Sequence, residues 1–81
     1  MGGFLFMKSI QISLQMASSV KEFVNIVQKY AFEIDLRCDR YVVDAKSILG
    51  IFSLDLSKPI NVEIHSDDCE ELIKELKPFQ V

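Results

Sequence analysis

Lys46-Ser47, His65, Cys38 and Cys69 are the side chains of this 81-residue chain with the strongest claim to chemistry. Ser47 stands in VVDAKSILGIFSLDL, residues 42–56, at the head of a run of bulky apolar residues with one glycine inside it. A serine hydroxyl becomes a nucleophile only beside a base. The sequence offers no nucleophile–base pair, no carboxylate dyad and no phosphate-cradling loop, so a catalyst is not expected. His65 falls on the outward side of the alternating segment INVEIHS, residues 60–66. A lone exposed strand histidine reads as ordinary surface. The two cysteines form no CxxC pair and no His/Cys cluster, which argues against zinc. They read as reduced core thiols. No metal and no cofactor are expected.

Alternation and periodicity supply the elements that position these residues. SIQISLQ puts Ile10, Ile12 and Leu14 on one side of a half-buried strand. Val20, Phe23, Val24, Val27 and Ala31 then form one helical stripe. Ser19 and Glu22 have the spacing of a capping box, and Lys29 falls where the helix dipole favours a cation. FEIDLRC alternates again, with Phe32, Ile34, Leu36 and Cys38 facing in. Asp39-Arg40 turns the chain into YVVDA, although arginine suits a positive φ poorly. Ser47 caps a short second helix reaching about Ser53. Ile60, Val62 and Ile64 face in on a fourth strand. Cys69, Leu72, Ile73 and Leu76 make the stripe of a third helix, with Pro78 as its stop. The order βαββαβα, with one-sided alternation on every strand, predicts an α+β fold: a two-layer open-faced sandwich with helices over one face of the sheet.

At Lys46-Ser47 the sequence resembles a known family. VDAKSILGIFSLDL is similar to the Lys-Ser-Ile-Met-Gly-Val-Met-Ser-Leu segment of HPr, the histidine-containing phosphocarrier of the bacterial sugar phosphotransferase system. The similarity covers about residues 16 to 77. It implies an antiparallel four-stranded sheet in the order 1-4-2-3 with three helices on one face. The family's phosphoryl-accepting motif is Gly-[Ile/Leu]-His-[Ala/Thr]-Arg-Pro at the start of helix one. This chain has LQMASS there, residues 14–19. Aligned back from Ser47, Met16 takes the histidine position, Ala17 matches, Ser18 takes the arginine position and Ser19 the proline. A thioether is a weak acceptor and cannot relay a phosphoryl group. Ser18 brings no cation to clamp one. The resemblance therefore implies a member without the carrier chemistry.

In many Gram-positive members the serine matching Ser47 is phosphorylated by a dedicated kinase, and the modified protein binds regulators of carbon metabolism. The resemblance implies Ser47 as a regulatory phosphosite here, and Ile48, Leu49, Phe52, Ala17 and Ser18 as a partner surface. Leu49 and Phe52 are the pair expected to be exposed. Ser47 has a second reading, as a plain helix cap with core residues behind it.

Composition agrees with a small interaction module. Eighty-one residues suffice for one domain, residues 1–81, with residues 1–6 as an N-terminal extension. Such a domain buries only about 60% of its unfolded surface. Apolar residues make up 49% of the chain, so an exposed apolar patch is expected. The net charge of −3 argues against nucleic acid as a partner. The acidity is local: residues 57–81 carry six acidic and three basic groups, against six of each in residues 1–56. No apolar run reaches the length of a membrane span, about 20 residues. The lysine of MGGFLFMK follows the apolar residues, the wrong order for a signal peptide. Gly2 lacks the Ser or Thr at position 6 that myristoylation wants.

A cytoplasmic, non-enzymatic HPr-like module with protein partners, a kinase or transcriptional and metabolic regulators of the phosphotransferase type, is the leading expectation. Two alternatives stand beside it. One is a phosphocarrier using a non-standard acceptor. The other is an oligomeric assembly module joined through apolar surface around Phe4, Phe6 and Phe52. The sequence leaves the oligomeric state, the partner and the pathway open.

Overall fold

One-sided alternation on four strands is converted into a single sheet with one buried face. The computed structural model describes residues 8–81. The expected N-terminal extension, with Gly2, Phe4 and Phe6, lies outside the described residues. The elements are β1 (Lys8–Ile12), α1 (Ala17–Val27), β2 (Ile34–Cys38), β3 (Tyr41–Asp44), α2 (Ile48–Phe52), β4 (Ile60–Ile64) and α3 (Glu70–Glu75), followed by a 3-10 turn at Lys77–Phe79. The sheet order is β1-β4-β2-β3 with every pairing antiparallel. This is the expected α+β architecture. Register sets Ile10 against Val62 and Ile12 against Ile60, and on the other side of β4 sets Leu36 against Val62 and Ile34 against Ile64. These residues form the inner face, and Ile12, Ile60, Val62 and Ile64 are wholly buried. Val20, Phe23, Val27, Leu72 and Leu76 close over them from α1 and the α3 end. Each such side chain contributes about 1.5–3 kcal/mol by leaving water.

The helix ends depart from the sequence expectation. Ser19 and Glu22 do not form a capping box. α1 begins at Ala17, with extended Met16 at the N-cap position and no side-chain cap. The bond from the Val20 N–H to the Met16 carbonyl (3.1 Å) carries the helix further back. Ser19 thus sits inside the first turn, where the amide protons ahead of it belong to the helix ladder. At the far end, Lys29 and Tyr30 donate their N–H groups to the carbonyls of Ile26 and Val27 (3.2 and 3.1 Å), which tightens and closes the helix. Ala31 therefore falls beyond α1 and is exposed rather than part of the stripe. Lys29 is not a helix-end cation either, because it lies past the last turn and pairs with Glu75 at 2.5 Å.

The hairpin resolves the objection to Arg40. Asp39 alone takes the left-handed conformation, with φ 56°. Aspartate tolerates that region because its short polar side chain bonds locally. Pro78 does not simply stop α3. The α-helix ends at Glu75, and Pro78 sits inside the 3-10 turn, where its missing N–H costs nothing. Beyond that turn the chain comes back to the sheet. Gln80 bridges Ile12, the Ser13 N–H donates to the Phe79 carbonyl (2.8 Å), and the Val81 N–H donates to the Gln11 carbonyl (3.2 Å). These bonds cover part of the outer edge of β1, which would otherwise expose unpaired backbone groups. Cys38 and Cys69 are free and buried, and burial pushes the Cys69 thiol up from its ordinary pKa. Among the described residues no helix is long and apolar enough to cross a membrane.

The two sides of α2 make this packing testable. Ile51 is wholly buried, whereas Leu49, two residues earlier, is 81% exposed. Ile51→Ala should cost about 2–5 kcal/mol by leaving a cavity. Leu49→Ala should change stability by about 0.5 kcal/mol or less. Urea unfolding midpoints measure both; similar losses at the two positions would mean that α2 is rotated from the orientation described.

Candidate functional site

Two short features hold α2 in place against the sheet. Ser47 is its N-cap: the hydroxyl accepts the Gly50 N–H at 3.2 Å. Gly50 is where α2 approaches β3. A Cβ there would lie 3.3 Å from both the Val43 Cβ and the Ser47 Oγ, tighter than ordinary contact. The glycine inside the apolar run is thus a spacing residue, and a side chain would push the helix off the strand. The cap leaves one hydroxyl proton on Ser47 for other use.

Lys46 has a role that sequence reasoning did not identify. Its ammonium donates to the backbone carbonyls of Tyr30 and Phe32, at 2.6 and 3.0 Å. Its own N–H donates to an Asp44 carboxylate oxygen at 2.9 Å. The side chain ties the α1–β2 connection to the residue preceding the cap. Only the folded backbone could reveal this, because the acceptors lie 14 and 16 residues away.

With α2 so placed, Leu49 and Phe52 point outward, 81% and 45% exposed. Ile48 is half-buried and packs against the core. α1 packs against α2. At the start of α1, Met16 is 65% exposed, and Ala17 and Ser18 are exposed as well. No acidic side chain occupies the first turn of α1. The anion-friendly helix terminus is present, but Met16 supplies a thioether and Ser18 a neutral hydroxyl.

His65 is far from this end of the molecule. It follows Ile64, which pairs with Lys8, whereas α1 follows Ile12, which pairs with Ile60. The two ends of the strand pair are separated by roughly 14 Å at about 3.4 Å per residue. His65 Nε2 lies 3.0 Å from Asp35 Oδ2, and Arg37 Nε donates to Glu63 Oε2 at 2.7 Å. Asp35, Glu63 and His65 bring one donor atom each within 4.8 Å of one another. The sequence showed these residues only as separate outward positions.

A polar groove lies where the end of α1 meets α3, lined by Lys29, Tyr30, Glu71, Lys74 and Glu75. It contains none of the expected site residues. Glu75 accepts hydrogen bonds from Lys29 and from the Tyr30 hydroxyl. Those two donors hold the Glu75 carboxyl below its usual range. The same Glu75 bond, with burial and the negative charges of Glu75 and Glu71, pushes the Tyr30 phenol up to about 12.

Comparison with known proteins gives one family. The model described as PTS HPr component phosphorylation site matches residues 16–80. A crystal structure of HPr-C-His from Thermoanaerobacter tengcongensis superposes with a TM-score of 0.70 at 33% identity, covering 86% of this chain and 84% of that one. A crystal structure of a phosphocarrier protein HPr from Bacillus anthracis str. Ames superposes with a TM-score of 0.69 at 28% identity, covering 93% and 95%. No curated protein matches the sequence.

The cap and the phenol each yield a measurement. Ser47→Ala should destabilise the protein by about 1 kcal/mol, and Ser47→Asp by less, because a carboxylate can also cap and suits the helix start. An unchanged urea midpoint for the alanine variant would show that the hydroxyl does not cap α2. For Tyr30, a Tyr41→Phe background leaves a single reporting phenol. Its tyrosinate absorbance should rise near pH 12 rather than near the ordinary phenol value of about 10. Glu75→Gln should return much of that shift. Because the folded-state value is raised, the associated stabilisation is complete below the unfolded phenol's pKa and drains away as pH rises through about 12. Normal titration in the Tyr41→Phe protein would remove the Tyr30–Glu75 bond from the solution structure.

Proposed function

The chain belongs to the HPr family, and from that premise we propose that it is a non-enzymatic, cytoplasmic interaction module that has lost phosphohistidine transfer. Met16 carries the proposal. It stands at the N-cap position of α1 with its side chain exposed, where the resemblance expects the nucleophilic imidazole. The chain contains one histidine, His65, at the other end of the β1–β4 pair. Phosphoryl transfer to histidine needs an imidazole nitrogen at the anion-stabilising helix start and a cation beside it. Met16 and Ser18 provide neither.

Binding then falls to the surface around α2. Leu49 and Phe52 project from a helix whose inward residue, Ile51, is locked in the core. Exposed apolar side chains on a rigid element, rimmed by polar groups, suit a protein partner. Ser47 sits at the head of the same helix. A phosphate added there would meet N–H groups of the first turn, changing the charge of the docking surface without unfolding it. In this reading the partners are proteins of the phosphotransferase type, either a kinase acting on Ser47 or regulators recognising the α2 surface.

Phosphoenolpyruvate and the enzyme it charges provide the test of lost transfer. Incubated with them, the protein should show no acid-labile mass gain, and Met16→His alone should restore little transfer, because Ser18 still offers no cation. A stoichiometric gain in the wild type would defeat the proposal. For docking, a Leu49→Ala, Phe52→Ala double variant that keeps its fold should lose a partner recovered from native cytosol. Undiminished capture by that double variant would reduce the apolar surface to a packing role.

A further inference from the structure

On the open face of the sheet, antiparallel register sets like charges against each other. Asp35 on β2 stands directly opposite Glu63 on β4 and directly opposite Asp44 on β3. Three carboxylates thus form a row across three strands. Directly opposed side chains have Cβ atoms only about 4.5–5.5 Å apart, and like charges there destabilise a sheet. The nearby basic groups answer this only in part. Arg37 holds one oxygen of Glu63, and Lys46 directs its ammonium to the carbonyls of Tyr30 and Phe32 instead. His65 completes the group. It lies two residues beyond Glu63, diagonal to Asp35, with its Nε2 3.0 Å from Asp35 Oδ2.

We propose that Asp35, Glu63 and His65 form a surface site for a divalent transition-metal ion of the zinc class. The donor set is an imidazole nitrogen and two carboxylates, which zinc accepts with water completing the shell. The charge of the two carboxylates, which Arg37 offsets only at Glu63, is one that a divalent ion balances. The three donor atoms lie within 4.8 Å of one another. Tetrahedral zinc with bonds of about 2.0–2.1 Å places its ligands about 3.4 Å apart. Side-chain rotation on a fixed backbone closes that difference, since all three residues lie in or beside paired strands. Arg37 occupies Glu63 Oε2 and leaves Oε1 for the metal, so the guanidinium orients the ligand. Asp44, whose carboxylate also accepts the Lys46 N–H, adds negative potential beside the site. The site faces away from the helices, so its occupancy is separable from docking at α2.

The chain's single histidine makes the test direct. In tag-free full-length protein, zinc should bind one ion per chain in competition with a chromophoric chelator. Cobalt should broaden the one imidazole's proton resonances. His65→Ala should weaken zinc binding by about tenfold or more, as should Asp35→Asn. Calcium and magnesium should bind at least about tenfold more weakly than zinc, because neither favours an imidazole nitrogen. All three side chains lie on the outward face, and urea midpoints without metal confirm that the variants fold. Zinc affinity unchanged in His65→Ala would overturn the site. So would a cobalt–thiolate charge-transfer band, which would assign the metal to Cys38 or Cys69, or the absence of zinc binding at millimolar concentration.

Discussion

The sheet can bury only one of its faces, and its register follows from that constraint. Ile34, Leu36, Val62 and Ile64 must all point toward the helices. A slip of one residue in β2 or β4 would turn each of them to solvent and bury Asp35, Arg37 and Glu63. The hydrophobic loss and the cost of burying unpaired charge act together. The apolar face therefore sets the order of charges on the polar face. Asp44, Asp35 and Glu63 stand in line because their inward neighbours are aligned.

The same sheet is the platform for α2. Val43 on β3 meets Gly50 closely, and Ser47 caps the helix from below. Lys46 ties the approach to the end of α1 through two backbone carbonyls. These constraints lock Ile51 inward and leave Leu49 and Phe52 outward. The serine has a structural task as the cap of α2, and the apolar pair stands exposed on the same helix. The cap and the exposed apolar pair share one short helix because they use different atoms of it.

Strand residues were the most legible part of the chain. A period of two at Ile10–Ile12 and Ile60–Val62–Ile64 admits few alternatives, and the family resemblance supplied the strand order. Ser47 was legible as a cap because its partner, Gly50, lies three residues ahead. Helix ends were less legible. Ser19 and Glu22 had the spacing of a capping box, yet the Val20–Met16 bond extended α1 past them. Ala31 continued the apolar period after the backbone had already turned at Lys29 and Tyr30. Local pattern records what a side chain favours; the helix end also depends on where the next strand must start.

The sequence by itself determined the period of each element, the inward set of the sheet, the Ser47 cap, and a single histidine, at position 65. Those properties depend on residue type and on neighbours a few positions away. Tertiary structure alone decided what meets across long separations. It bound Lys46 to Tyr30 and Phe32, joined Lys29 and Tyr30 to Glu75, and returned Gln80 and Val81 to β1. It also gathered Asp35, Glu63 and His65, from two separate segments of chain, onto one patch of the open face. The physical reason is register: which outward residues share a patch depends on how two strands align, and only the packing of their inward residues fixes that alignment.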